Sequence, residues 1–132
     1  MKKIIPNNYP ELLANIKERI RSAQYDALRA VNKELITLYW DIGKIIVERQ
    51  QSESWGMAVV EKLAADLQSE YPGMHGFSAR NIWRMRDFYL TYRQDTILPP
   101  LVAEISWTHN ITILEKCQDP LEREFYIRMT KK

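Results

Sequence analysis

MAVVEKLAADLQSEYPGMHGFSARNIWRMRDFYLTY, residues 57–92, decides how the rest of this chain is read. Val59, Val60, Leu63, Ala64 and Leu67 recur on one face at helical spacing. Pro72 stops that helix, because proline lacks an amide donor and clashes with the preceding turn. Pro72-Gly73 and Gly76 make YPGMHGF a turn. Ser78 then opens a second helix as an N-cap, its hydroxyl accepting from a free backbone amide. Helix, short glycine-containing turn, helix is the outline of a helix-turn-helix, an outline shared by many helical domains.

The charge on the second helix narrows the choice. Arg80, Arg84, Arg86 and Arg93 stand against a single acid, Asp87. At about 100° per residue, Ser78, Ile82, Met85, Tyr89 and Tyr92 share one side, the expected core face. Arg80, Trp83, Arg84, Asp87 and Thr91 take the opposite side, with Asn81, Arg86 and Phe88 on the flanks. Arginine can hold guanine and asparagine can hold adenine bidentately, and either can hold phosphate. In helix-turn-helix docking, residues near the N-terminus of the second helix reach the base edges. The free amides of that end attract phosphate as well. The candidate nucleic-acid-binding residues are therefore Ser78, Arg80, Asn81, Trp83, Arg84 and Arg86, with Lys62 as an accessory phosphate contact. The competing reading is a plain solvated face, which two or three arginines also produce. Trp83 weighs against it, since an indole on the solvent side marks a partner surface, a neighbouring helix or a stacking platform.

Outward from this stretch the chain stays helical. Leu13, Ile16 and Ile20, then Ala27, Val31, Leu35, Leu38, Ile42, Ile45 and Ile46, keep three- and four-residue steps. Residues 10–50 form one bent helix or two. Unbroken, the helix would measure roughly 60 Å, more than a domain of this size spans, so it would project or pair with something. Gly43 inside it costs about 1 kcal/mol. Tyr39 and Trp40, in LYWDIGKII, pack a core or form a dimer seam. Residues 1–9 are expected to be flexible. Downstream, QDTILPPL ends the second helix of the motif with two prolines. LVAEI, residues 101–105, is a linker or a short strand, so at most a short β element is expected near 97–105. Ser106 caps a helix carrying Trp107, Ile111 and Leu114, and Asp119-Pro120 starts another. The last helix meets the C-terminus without a stop signal, which suggests a chain cut from something longer or a fraying tail.

Bulk properties set the bounds. The 132 residues suit one domain, and their few glycines and many leucines, alanines, glutamates, lysines and arginines favour an all-α fold. A net charge of +2 is no polycation, so nucleic-acid binding must rest on local clustering. A single cysteine, Cys117, excludes an internal disulfide and suits a small core residue. No apolar run is long enough to span a membrane, and a cytoplasmic location is expected. His75 and His109 lack metal-ligand neighbours, so no metal or cofactor is expected; His109 bonds locally or faces water. No glycine-rich phosphate loop, no Gly-x-Ser-x-Gly and no Glu-x-Lys or Asp-x-Lys tripeptide occurs. The chain reads as a non-enzyme.

LYWDIGKIIVERQ, the stretch from Trp55 to Tyr92, LVAEISWTHNITILEK and DPLEREFYI, in that order, resemble the N-terminal domain of the YhcG-type family. The resemblance covers roughly residues 25–130. It implies a helical, winged-helix-like DNA-binding module that usually precedes a nuclease domain of the PD-(D/E)xK class. Its reading helix falls on Ser78, Arg80, Asn81, Arg84 and Arg86, and its Trp-x-His pattern on Trp107 and His109, with no catalytic role carried over. Ser106 stands where proline is common before that tryptophan, which should change only the helix start. The nuclease half is not among these residues, so no cleavage is expected from them. The expected partners are DNA, duplex or branched, a nuclease domain in cis or in trans, and a second copy through the long N-terminal helix. The alternative is a helical oligomerisation or docking module that never touches nucleic acid.

Overall fold

The computed structural model describes residues 5–53, 56–95 and 98–131. Among these residues six helices follow one another: α1 (Tyr9–Glu53), α2 (Met57–Glu70), α3 (Ala79–Tyr92), α4 (Leu98–Val102), α5 (Trp107–Lys116) and α6 (Pro120–Lys131). No strand occurs among the described residues, and the fold is all-α. The wing implied by the family resemblance finds no support. The open choice over residues 10–50 resolves to a single helix of 45 residues. The expected flexible stretch 1–9 lies partly outside the described residues, and Tyr9 already begins α1.

The chain divides into two compact units, Met1–Val31 and Asn32–Lys132. In the first, the described residues from Tyr9 to Val31 are helical, and every described side chain is exposed.

In the second unit α3 is the hub. Its Ile82 packs with Ile46 of α1 and Val60 and Ala64 of α2. Its Met85 packs with Tyr39 and Phe77. Its Phe88 and Tyr92 join Ile36, Val102, Ile105, Ile113, Cys117 and Ile127, drawing in α1, α4, α5 and α6. Each such buried side chain contributes about 1.5–3 kcal/mol of hydrophobic stabilisation. A helix flanked on several sides has a core arc wider than one face. That corrects the phase reading of α3: Phe88 is fully buried rather than on a flank, and Tyr89 is only half-buried. Trp83 is half-buried against the α1–α2 cluster, not turned to solvent. Tyr39 and Trp40 pack into the core, Tyr39 edge-on to Trp107 and Trp40 edge-on to Phe88 and Tyr89.

Two glycines are dictated by contact. A Cβ on Gly43 would collide with the backbone carbonyl of Met85, so α1 and α3 touch backbone to backbone there. Gly76 sits at φ 102°, and a Cβ there would strike the Tyr39 hydroxyl.

The region expected to hold at most a short strand contains α4 instead; residue 97 lies outside the described residues. Pro99 and Pro100 occupy the first turn of α4, where an amide has no intrahelical acceptor to lose. The carbonyls after α4 are met by two asparagines. The Asn110 amide, fully buried, donates to Val102 O at 2.9 Å and Ser106 O at 3.1 Å. Asn32 donates to Ile105 O at 2.8 Å. Ser106 Oγ accepts from the His109 amide and caps α5, and Asp119 Oδ1 accepts from the Leu121 amide at the start of α6.

Candidate nucleic-acid interface

The N-terminal end of α3 is built by its turn. Positive-φ Gly76 turns the chain, Phe77 anchors it in the core, and Ser78 caps the helix, its Oγ accepting from the Asn81 amide at 3.1 Å. Gln68 of α2 donates to Phe77 O at 3.1 Å and ties the turn to the preceding helix. The first helical turn is thus fixed in place, with its remaining amides pointing past Ser78.

The six candidate side chains have different surroundings. Ser78 and Arg80 are exposed, and Arg80 makes no ion pair among the described residues. Arg84 sets its Nε and Nη2 each 3.0 Å from Glu115 Oε1 on α5. Arg86 donates to Gln50 Oε1 at 2.7 Å and to Asp87 Oδ1 at 3.0 Å, and its guanidinium lies 5.4 Å from the centre of the Trp83 ring. Asn81 is half-buried and fully engaged: its Nδ2 donates to Gly76 O at 2.7 Å, and its Oδ1 accepts from Trp107 Nε1 at 2.8 Å. Lys62, the accessory cation, pairs with Asp66 at 3.2 Å. His75 is exposed in the turn.

These surroundings sort the candidates by what an incoming phosphate could recruit. Arg80 is available as it stands. The Arg84–Glu115 pair lies at the surface, and such pairs are worth about 0–1 kcal/mol, so a phosphate competes with it on even terms. Arg86 is anchored by three partners. Releasing Asn81 would strand the Gly76 carbonyl and the Trp107 indole N–H, at about 1–3 kcal/mol for each group left unsatisfied in a buried setting. Asn81 is therefore placed as a joint between the turn, α3 and α5, and not as a free edge of the helix.

Gln50, Glu115 and Trp107 shape this end of the molecule and stood outside the candidate set. Their contacts join residues 26 to 36 positions apart, which no local spacing reveals. The His109 ring lies 2.9 Å from Ser106 Oγ and is exposed, a local bond as expected. Cys117 is buried in the core as expected, and desolvation raises its thiol pKa. Among the described residues no three metal-ligating side chains come together, and no helix is long and apolar enough to cross a membrane.

The model of the DUF1016 N-terminal domain matches residues 15–132. A curated relative from Escherichia coli (strain K12), whose name is "Putative nuclease YhcG", is 30% identical over 102 residues. The alignment takes in 74% of this chain and 27% of the relative, so the chain matches about a quarter of that protein's length. No solved structure matches. With nearly the whole of the sequence inside the family model, this chain belongs to the DUF1016 N-terminal domain family.

Proposed function

We propose that this domain holds DNA through the exposed N-terminal end of α3 and so positions a nuclease domain, in cis or on another chain. The carrying observation is Arg80, exposed in the first turn of a capped helix and free of any ion pair among the described residues. Ser78 and the open amides beside it add a phosphate cradle, and Arg84 joins by exchanging Glu115 for a phosphate. Asn81, Trp83 and Arg86 hold that end in shape, Asn81 through the turn and α5, the other two against α1. The helix-turn-helix order of α2 and α3 and the nuclease in the relative's name support this reading. The nuclease chemistry is assigned to the part of the relative that this chain does not match.

Binding of this kind is mainly electrostatic. With four to six phosphate contacts, log affinity falls against log salt with a slope of about −4 to −5. Arg80→Ala combined with Arg84→Ala should weaken binding to a duplex strongly and leave the fold intact. Duplex binding by that double variant equal to the parent's would remove α3 from the interface.

A second reading, a docking module that never meets nucleic acid, draws on the internal engagement of Asn81, Arg84 and Arg86. Sedimentation at low salt separates the two: the first gives a shift on adding duplex DNA, and the second gives none.

A further inference from the structure

The first unit carries the start of α1, and the apolar residues of that segment are ordered rather than scattered. Leu13, Ile16, Ile20, Ala23, Ala27 and Val31 follow three- and four-residue steps down one side, with Leu12 and Leu28 widening the stripe. Ile16 is 50% exposed, Ile20 51%, Leu28 70% and Val31 66%. A lone helix in water is marginal, and helices in proteins take most of their stability from packing an amphipathic face. No described residue of the first unit packs on this one.

We infer that a second copy of this chain covers the stripe, with the two α1 segments antiparallel and centred near residues 21–22. Two independent features of the helix select that occupant and direction. The first is size. The large residues, Leu13, Ile16 and Ile20, lie in the first half of the stripe, and the smaller Ala23, Ala27 and Val31 in the second. Antiparallel pairing sets Ile20 over Ala23, Ile16 over Ala27 and Leu13 over Ala30 and the neighbouring Val31 of the other copy, so every layer joins a larger residue to a smaller one. Parallel pairing would stack isoleucine on isoleucine and leave gaps at the alanine layers, and close packing disfavours both.

The second feature is charge. Arg19 and Asp26 lie seven residues apart on the same edge of the stripe. Neither makes an ion pair among the described residues. In the antiparallel register each Arg19 meets Asp26 of the other copy, giving two identical pairs about a twofold axis. A parallel register would bring the basic cluster Lys17, Arg19 and Arg21 against itself.

The proposal rests on neither reading of α3. Sedimentation equilibrium of the 132-residue chain should give twice the 15.7 kDa of a single chain. Ile16→Glu with Ile20→Glu should return it to one chain without changing its near-ultraviolet signal, since both residues lie in the first unit and are exposed. Arg19→Asp alone and Asp26→Arg alone should each raise the dimer dissociation constant about five- to tenfold by opposing like charges. The two together should restore it, which only an antiparallel pairing of identical chains predicts. A single-chain mass at every loading concentration, or a dimer untouched by the two glutamates, overturns the proposal. Failure of the combined charge swap to restore the dimer overturns the antiparallel register.

Discussion

The indole N–H of Trp107 donates to the side-chain oxygen of Asn81 at 2.8 Å, joining α5 to the first turn of α3. The same Asn81 amide holds Gly76 O, so a single side chain locks the turn and two helices together. Trp107 is also wedged edge-on between Tyr39 and Phe88. Placement of the α3 tip is therefore a property of the core, and variants of its residues separate into those that loosen the fold and those that touch only the surface.

Asn81→Ala belongs to the first kind. It leaves the Gly76 carbonyl and the Trp107 N–H without partners in a half-buried setting, at about 1–3 kcal/mol for each. Urea denaturation should show the loss directly as a lower midpoint with an unchanged slope. A midpoint equal to the parent's would show that the two bonds carry no net stability.

Arg80→Ala belongs to the second kind. Stability should stay within about 0.5 kcal/mol of the parent, as for surface substitutions in general. Binding to a duplex should weaken, and the salt slope should become shallower by about one unit, the share of a single phosphate contact. Titrations at several salt concentrations measure both quantities. Parallel salt lines for variant and parent would place Arg80 outside the interface.

Gly43→Ala tests the close approach of α1 and α3. In a free helix alanine would be the better residue by about 1 kcal/mol. Here the added methyl meets the Met85 carbonyl, and overpacking against backbone costs about 1–3 kcal/mol or more. A drop in thermal midpoint is expected where helix propensity alone would raise it. An unchanged or higher midpoint would contradict the backbone contact.

Alkaline pH should weaken the second unit through Tyr92. Burial pushes its phenol up to about 12, with nearby Arg123 pulling the other way. A phenol held protonated in the folded chain stabilises it fully below its ordinary value of about 10. That stability is lost as pH rises from 10 through 12, and for a shift of this size it amounts to about 3 kcal/mol. Burial also raises Tyr39, adding to the same trend. The urea midpoint should fall across this range, and Tyr92→Phe should flatten the fall. The same fall in Tyr92→Phe would assign it to other groups.

Helix content, the break at Pro72-Gly73, the Ser78, Ser106 and Asp119 caps and the long apolar repeat of α1 follow from the sequence by itself, because caps, breakers and periodicity act within a few residues. The all-α class follows from them. Which way α3 faces was decided by tertiary structure. Periodicity finds one apolar face, but α3 meets α1, α2 and α5 on several sides, so Phe88 and part of Trp83 were claimed by neighbours distant in sequence. The fates of Asn81, Arg84 and Arg86 were settled in the same way, by Trp107, Glu115 and Gln50. The Leu98–Val102 helix escaped the sequence because its prolines read as breakers, whereas in the first turn of a helix their missing amides cost no hydrogen bond.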